Sequence, residues 1–112
     1  MKIEKAKRFF YFRADRKMMK IFLSDILYIE SLKEYVRIVT KNQAIVTKSS
    51  IASLESILPQ DSFVRIARSF IVSIDEIKSF TNEIIEIGKV ELPIGKLYKP
   101  NVLKVLNNQN PP

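Results

Sequence analysis

Short apolar stretches separated by brief polar breaks run through most of this 112-residue chain. Within them apolar and polar side chains tend to alternate, which is typical of β-strands, because successive side chains of a strand point to opposite faces. Strands this short are stable only when they are stacked, so we expect a mainly β domain built as a sandwich or small barrel. We predict strands over residues 9–13, 18–23, 26–31, 35–40, 43–48, 63–66, 69–74, 78–80, 83–87 and 90–94, the last two joined by a turn at Gly88 and Lys89.

Two segments carry helical spacing instead. Residues 50–59 have apolar side chains at i, i+3 and i+7, with Ser50 in the position of an N-cap and Pro59 in that of a stop. Residues 96–108 have apolar side chains at i, i+4, i+7 and i+8, and Pro100 is tolerated in a first helical turn. We therefore predict two short amphipathic helices.

Cysteine and histidine are both absent from the chain. Disulfides and thiolate metal sites are thereby excluded, and the commonest general base and metal ligand are missing. We expect a protein that is not an enzyme and that holds no cofactor or metal. No apolar run approaches the ~20 residues of a membrane-spanning helix, and the first residues lack the apolar region of a signal peptide. We expect a cytoplasmic protein without a membrane partner.

The formal net charge of +7 suggests a polyanionic partner. Most of the excess lies in residues 1–20, where eight lysines and arginines face two acids. Residues 1–8 are interpreted as the remnant of a linker or, alternatively, as a basic arm that adds non-specific affinity. Residues 9–106 are expected to form the folded domain, and residues 107–112 a frayed tail.

The chain's most apolar passage begins at Phe63 and contains two arginines. Strand alternation points Val64 and Ile66 to one face, and Phe63 and Arg65 to the other. The residues that follow read as a bend between two strands, from which Arg68 projects outward.

The two arginines are interpreted differently. Burying an unpaired guanidinium costs several kcal/mol, so Arg65 is expected to pack its stem on apolar surface and to pair with an acid such as Glu30 or Asp61. Arg68 is expected to meet phosphate or guanine, since its planar donor fork matches both.

The passage FVRIARSFIVSIDEI (63–77) resembles the signature F-x-R-x-H-R-S-[FY]-[IL]-V-N of the LytTR-type DNA-binding domain. DILYIESLKEYVRIVT (25–40) is similar to that family's strand-loop-strand segment. LPIGKLYKPNVLKVL (92–106) is similar to its closing strand-turn-helix, usually L-P-[IV]-[SG]-[RK]-x-Y. The three matches occur in the family's order and extend over most of residues 9–106.

The resemblance implies an elongated sandwich of small antiparallel sheets whose loops enter successive major grooves of double-stranded DNA and bend it. Family members are mostly the output domains of bacterial response regulators in two-component phosphorelays, so a receiver domain is expected upstream. They regulate transcription by binding paired direct repeats, and a dimer on DNA is expected.

The resemblance also implies which residues approach DNA. The loop after Ile29 would meet the first groove, the bend at Arg68 the centre, and the turn at Lys96 the next groove. The expected DNA-binding residues are Lys33, Tyr35, Arg37, Arg68, Ser69, Lys96 and Lys99. Of these, a tyrosine that begins a strand is more often packed, and Arg37 could support Glu34 or contact the DNA backbone.

Three positions depart from the family pattern. Ala67 stands where histidine is usual, and Ser73 where asparagine is usual. Lys96 replaces the commoner arginine, which exchanges a bidentate fork for a point charge and favours phosphate over guanine.

Judged without the resemblance, the charges still separate along the chain. Cations in predicted loops or at strand ends would form one cationic edge: Lys33, Lys41, Lys48, Arg68, Lys96 and Lys99. Acids are concentrated in the last strands: Asp75, Glu76, Glu83, Glu86 and Glu91.

Two other functions remain open. A β-barrel that binds single-stranded nucleic acid or RNA needs aromatic side chains exposed on a sheet face. Phe9, Phe10, Tyr11 and Phe12 are consecutive, so only alternate members could be exposed. A protein-interaction module with a basic tail would instead expose a large apolar patch.

Overall fold

The computed structural model describes residues 8–109, which form ten strands, two α-helices and two short 3₁₀ segments. The strands are β1 (Phe9–Ala14), β2 (Lys17–Phe22), β3 (Ile26–Leu32), β4 (Tyr35–Thr40), β5 (Ala44–Lys48), β6 (Phe63–Ala67), β7 (Phe70–Ser73), β8 (Ile77–Phe80), β9 (Ile84–Ile87) and β10 (Val90–Pro93). The helices are α1 (Ile51–Ile57) and α2 (Lys99–Asn107), and the 3₁₀ segments are Leu23–Asp25 and Ile74–Glu76.

The strands form three antiparallel sheets. A five-stranded sheet in the order β5-β4-β3-β7-β6 is the centre, with the β1-β2 hairpin and the β10-β9-β8 sheet beside it. The principal extents of 45, 32 and 26 Å describe an elongated molecule. The predicted fold class, a mainly β elongated sandwich with two short helices, is confirmed.

At β3, β6 and β7 the central sheet is buried on both faces, whereas β5 exposes one face. Phe63 and Ile71 contribute to one apolar cluster, which also receives residues of β1, β2 and α1. Val64, Ile66 and Val72 contribute to a second cluster, with residues of β9, β10 and α2. The predicted alternation in β6 is therefore confirmed. Full burial of each aliphatic side chain stabilises the folded state by about 1.5–3 kcal/mol. The two clusters therefore hold the neighbouring sheets and helices against the central sheet.

Both helices lie where the sequence placed them. Ser50 caps α1, because its side-chain oxygen accepts a hydrogen bond from the Ser53 amide at 3.0 Å, and the helix ends just before Leu58 and Pro59. In α2 the proline is in the first turn, where its missing N–H would be unpaired in any case. Neither α-helix within residues 8–109 has the length and apolar character needed to cross a bilayer.

The predicted terminal segments fall largely outside the described residues. Of residues 1–8 only Arg8 is described, and its carbonyl accepts a hydrogen bond from the Leu23 amide at 3.0 Å. Of residues 107–112, Asn107 is the last residue of α2, and a turn follows it.

The β9-β10 turn depends on a left-handed residue, since Gly88 has φ +57°. Replacing Gly88 with Ala should lower the free energy of unfolding by about 1–2 kcal/mol, because a Cβ is strained at this φ. That Cβ would also lie 3.3 Å from Cδ1 of Leu27. Urea unfolding checks the loss, and Gly88→Asn, which tolerates positive φ better, should lose less. Equal stability of the Ala variant and the unaltered protein would contradict the expectation.

Candidate nucleic-acid interface

Three turns meet at one end of the central sheet. They are the β3-β4 turn at Lys33 and Glu34, the β6-β7 turn at Arg68 and Ser69, and the turn that leads from β10 into α2. The Ser31 amide donates to the Ser69 carbonyl at 2.8 Å, which joins the first turn to the second. We call this end of the molecule the turn rim, defined as residues 31–35, 67–69 and 94–98.

The third turn is attached to the second through Gly95. Its amide donates to the Ile66 carbonyl at 2.7 Å, and a Cβ on Gly95 would lie 3.3 Å from Cα of Ala67. A larger residue would push the two turns apart. The order along the rim is therefore the β3-β4 turn, then Arg68, then the turn that carries Lys96.

Three cations of the rim are exposed and unpaired. Lys33, Arg68 and Lys96 all point to solvent, and among residues 8–109 none of their charged groups forms an ion pair. Lys33 is at the tip of its hairpin with φ +65°. The structure thus brings together Lys33, Arg68 and Lys96, as the sequence predicted, although their contact with DNA stays a prediction.

Arg65 fixes the rim from behind. Its side chain is only 12% exposed and pairs with Glu55 of α1, Nη1 to Oε1, at 2.7 Å. Its Nε donates to the Ala67 carbonyl at 2.8 Å, and Nη2 donates to the carbonyl of Arg68. The guanidinium also lies 5.5 Å from the ring centroid of Tyr98. These contacts support the structural interpretation of Arg65.

The acid that pairs with Arg65 was not found from the sequence. Glu30, one of the two expected partners, pairs instead with Arg37, whose Nε lies 3.2 Å from its Oε1. Glu55 comes from the exposed side of α1, ten residues before Arg65, and no local pattern marks that contact. It follows only from the packing of α1 against the central sheet.

The two remaining cations expected to bind DNA, Arg37 and Lys99, each form an ion pair within the protein. Arg37 forms the cross-strand pair with Glu30, whereas the sequence leaves open a contact with Glu34 or with the DNA backbone. Lys99 pairs with Glu83, Nζ to Oε1, at 2.9 Å. Both would have to exchange a carboxylate for a phosphate in order to bind DNA.

The expectation of a single cationic edge is wrong for Lys41. It follows the last residue of β4 and pairs with Glu76 at 3.4 Å, whereas Tyr35 begins β4 at the turn rim. A six-residue strand separates these ends by roughly 20 Å. Lys48 does lie at the rim end, because it is the register partner of Tyr35.

The other residues of the rim differ in how far they are exposed. Tyr35 is 45% exposed, so the expectation that a tyrosine in this position is packed is wrong here. Ser69 is half-buried, and its carbonyl accepts a hydrogen bond from the Ser31 amide. Leu97, which the sequence did not single out, is 91% exposed beside Lys96.

Two of the three departures from the family pattern, Ala67 and Ser73, are buried, whereas Lys96 is exposed. Ala67 is 9% exposed and packs against Gly95, so this position offers the rim no polar side chain. Ser73 is fully buried, away from any surface.

A sandwich of small antiparallel sheets, with turns projecting at one edge, is the architecture that the sequence resemblance implied. Residues 16–107 match the model of the LytTr DNA-binding domain family. The chain therefore belongs to the LytTr DNA-binding domain family, and the predicted resemblance is confirmed.

Individual relatives agree with this membership. Over 99 residues the chain is 29% identical to a protein named sensory transduction protein LytT from Bacillus cereus, and it is equally similar to its namesake from Bacillus anthracis. These matches cover 82% of this chain but 40% of each relative, so the chain spans less than half the length of the curated relatives it matches. A solved LytTr DNA-binding domain from Bacillus cereus has the same fold, with a TM-score of 0.76 at 23% identity, covering 88% of this chain and 95% of that one.

The contacts of Arg65 predict a loss of stability on its removal. Arg65→Ala should lower the free energy of unfolding by about 2 kcal/mol, because hydrogen bonds from a charged donor to Glu55 and two carbonyls are lost. Thermal and urea unfolding measure the loss. Glu55→Ala should lose less, since the Glu55 side chain is 47% exposed. Unchanged stability of Arg65→Ala, with a change in DNA affinity alone, would reverse the roles assigned to the two arginines.

Proposed function

We propose that this domain binds a specific sequence of double-stranded DNA through its turn rim. The observation that carries the proposal is the alignment of three unpaired cations, Lys33, Arg68 and Lys96, on three turns joined by backbone hydrogen bonds. Membership of a family of DNA-binding domains supports it. Cations that lack a carboxylate partner can meet phosphates without first breaking an ion pair.

Affinity and specificity come from different groups. Lys33 and Lys96 neutralise phosphates, which releases counterions and makes binding depend on salt. Arg68 is the base reader, since a guanidinium can donate two parallel hydrogen bonds to O6 and N7 of guanine. Arg65 does not contact DNA but holds the carbonyls of Ala67 and Arg68, and so it positions the central turn.

The order of the turns supports insertion into successive major grooves. The β3-β4 turn enters one groove, the turn at Lys96 enters the next, and Arg68 lies between them. Bending of the DNA toward the rim would let both outer turns reach base edges, and the deformation would add indirect readout. Tyr35 donates its hydroxyl to a phosphate, and Ser69 contacts the backbone beside Arg68. Arg37 and Lys99 join the interface after releasing Glu30 and Glu83.

The relatives suggest the setting in which this interface acts. They are named as sensory transduction proteins and are more than twice as long as the part they share with this chain. We infer that the domain is the output part of a bacterial two-component transcriptional regulator in the cytoplasm. In this proposal an upstream receiver domain supplies control by phosphorylation, and two copies bind paired direct repeats as a dimer.

One observation favours a second candidate function, binding of single-stranded nucleic acid. The outer face of the β1-β2 hairpin exposes Phe9, Tyr11 and Phe22, and Nζ of Lys20 lies 4.2 Å from the ring centroid of Phe9. Exposed aromatic rings with a nearby cation can stack bases. Competition between duplex and single-stranded oligonucleotides separates the two candidates, because only stacking on this face would be weakened by Tyr11→Ala.

Removal of a rim cation should weaken duplex binding without unfolding the domain. Arg68→Ala should cost about 1–3 kcal/mol of binding free energy and relax the preference at one base pair. Lys96→Ala should weaken binding to all sequences and reduce the slope of log K against log salt by about 1. Gel-shift titrations at several salt concentrations measure both effects.

The matched control is Lys41→Ala, at the other end of β4. It removes the same charge from the chain and should change affinity little. If Lys41→Ala weakened binding as much as Lys96→Ala, only total charge would matter and the rim would not be the interface. Unaltered affinity of Arg68→Ala or Lys96→Ala would remove that residue from the site.

The proposed function as a whole is tested by selection of bound duplexes from a random pool. Enrichment of a defined motif is expected, and two copies at a fixed spacing would support binding to direct repeats. A pool that stays random, with affinity that depends on charge alone, would contradict sequence-specific recognition.

A further inference from the structure

Leu97 is the most exposed of the large apolar side chains in the described part of the chain, at 91%. The next most exposed, Tyr11 and Met18, are each at 55%. Single exposed apolar residues are common on protein surfaces and need no explanation by themselves. What distinguishes Leu97 is its position on the turn rim, directly after Lys96 and two residues before Lys99.

The turn that carries Leu97 is fixed by hydrogen bonds. The Gly95 carbonyl accepts from the amides of Tyr98 at 2.9 Å and Lys99 at 3.0 Å, and the Gly95 amide is bonded to Ile66. Because both sides of the turn are held, its backbone is fixed in the conformation that leaves Leu97 exposed. The backbone therefore presents an apolar group outward at the surface that the proposed function assigns to DNA.

We propose that Leu97 reads thymine, by packing its side chain against the 5-methyl group in the major groove. This inference rests on the proposed function and adds to it a residue that determines specificity. Thymine is the base that carries a methyl group in the major groove, and apolar side chains recognise it by contact. The cations Lys96 and Lys99 on either side would oppose an apolar protein partner, since its surface would strip water from them. Phosphates beside the groove would be attracted to the unpaired Lys96, and to Lys99 once it releases Glu83.

The test uses the duplex enriched from the random pool, with each thymine replaced in turn by deoxyuridine, which lacks the methyl group. Replacing the thymine that Leu97 contacts should lower the affinity of the unaltered protein for the duplex about fourfold, the factor that corresponds to burying one methyl-sized group. For Leu97→Ala, affinity for the thymine duplex should already be lower. The same replacement should then change its affinity by less than the error of the titration.

The double comparison separates contact from DNA shape. A change in shape caused by deoxyuridine would weaken the unaltered protein and Leu97→Ala equally, and that result would overturn the inference. Met18→Ala is the matched control, since it shortens an exposed apolar side chain on the outer face of β2. The Met18→Ala variant should still lose about fourfold in affinity when that thymine is replaced by deoxyuridine.

Failure of this inference can be told apart from failure of the proposed function. If the unaltered protein binds the selected duplex but is indifferent to every deoxyuridine, the role of Leu97 falls and duplex binding stands. If it enriches no duplex, both fall. Leu97→Ala should unfold at the temperature of the unaltered protein, because the side chain it shortens has almost no contacts to lose.

Discussion

Burial of β3, β6 and β7 on both faces of the central sheet is the constraint on which the rest of the molecule depends. In most antiparallel sheets one face is solvated and can carry charges along its whole length. Here β3, β4, β6 and β7 send alternate side chains into two separate apolar clusters. Most charged side chains therefore lie at the ends of these strands and in turns, and those within the strands, Arg65 and the Glu30–Arg37 pair, have partners. The turn rim is a direct result, because three turns end at the same end of the sheet.

Arg65 is the least exposed charged side chain within the central strands, at 12%. It points toward a covered face, where an unpaired guanidinium would cost several kcal/mol. The structure satisfies it with Glu55 and with two carbonyls of the adjacent turn. The same contacts that compensate the buried charge also fix the conformation of the Arg68 turn. The contacts of Arg65 thus both stabilise the sheet and position Arg68, the proposed base-reading residue.

Most of the fold could be predicted because its signals are local. Alternation in β6 and β7, the cap at Ser50 and the turn at Gly88 each depend on residues a few positions apart. The contacts that could not be predicted join distant elements. The pairing of Glu55 with Arg65 requires α1 to pack across the sheet, and the placement of Lys41 at the other end requires the strand order.

The candidate site was predicted in the same uneven way. Arg68 and Lys96 were placed at turns from sequence, but their adjacency depends on the hydrogen bond from Gly95 to Ile66, which no spacing in the chain reveals. Leu97 lies outside the helical spacing of apolar residues in the segment 96–108, and no local pattern marks it as exposed. Its exposure follows from the direction in which the Gly95 turn leaves β10.

Ion pairing within the protein decides which cations can act first on a phosphate backbone. Before DNA binds, Arg37 and Lys99 are each paired with a carboxylate. Contact with a phosphate therefore gains only the difference in free energy between the old ion pair and the new one. Surface pairs of this kind contribute about 0–1 kcal/mol, so the exchange is possible but adds little. Lys33, Arg68 and Lys96 start solvated and lose no partner. An encounter with a double helix would accordingly begin at the three unpaired turns, with the paired cations joining only where a phosphate lies closer than their acid.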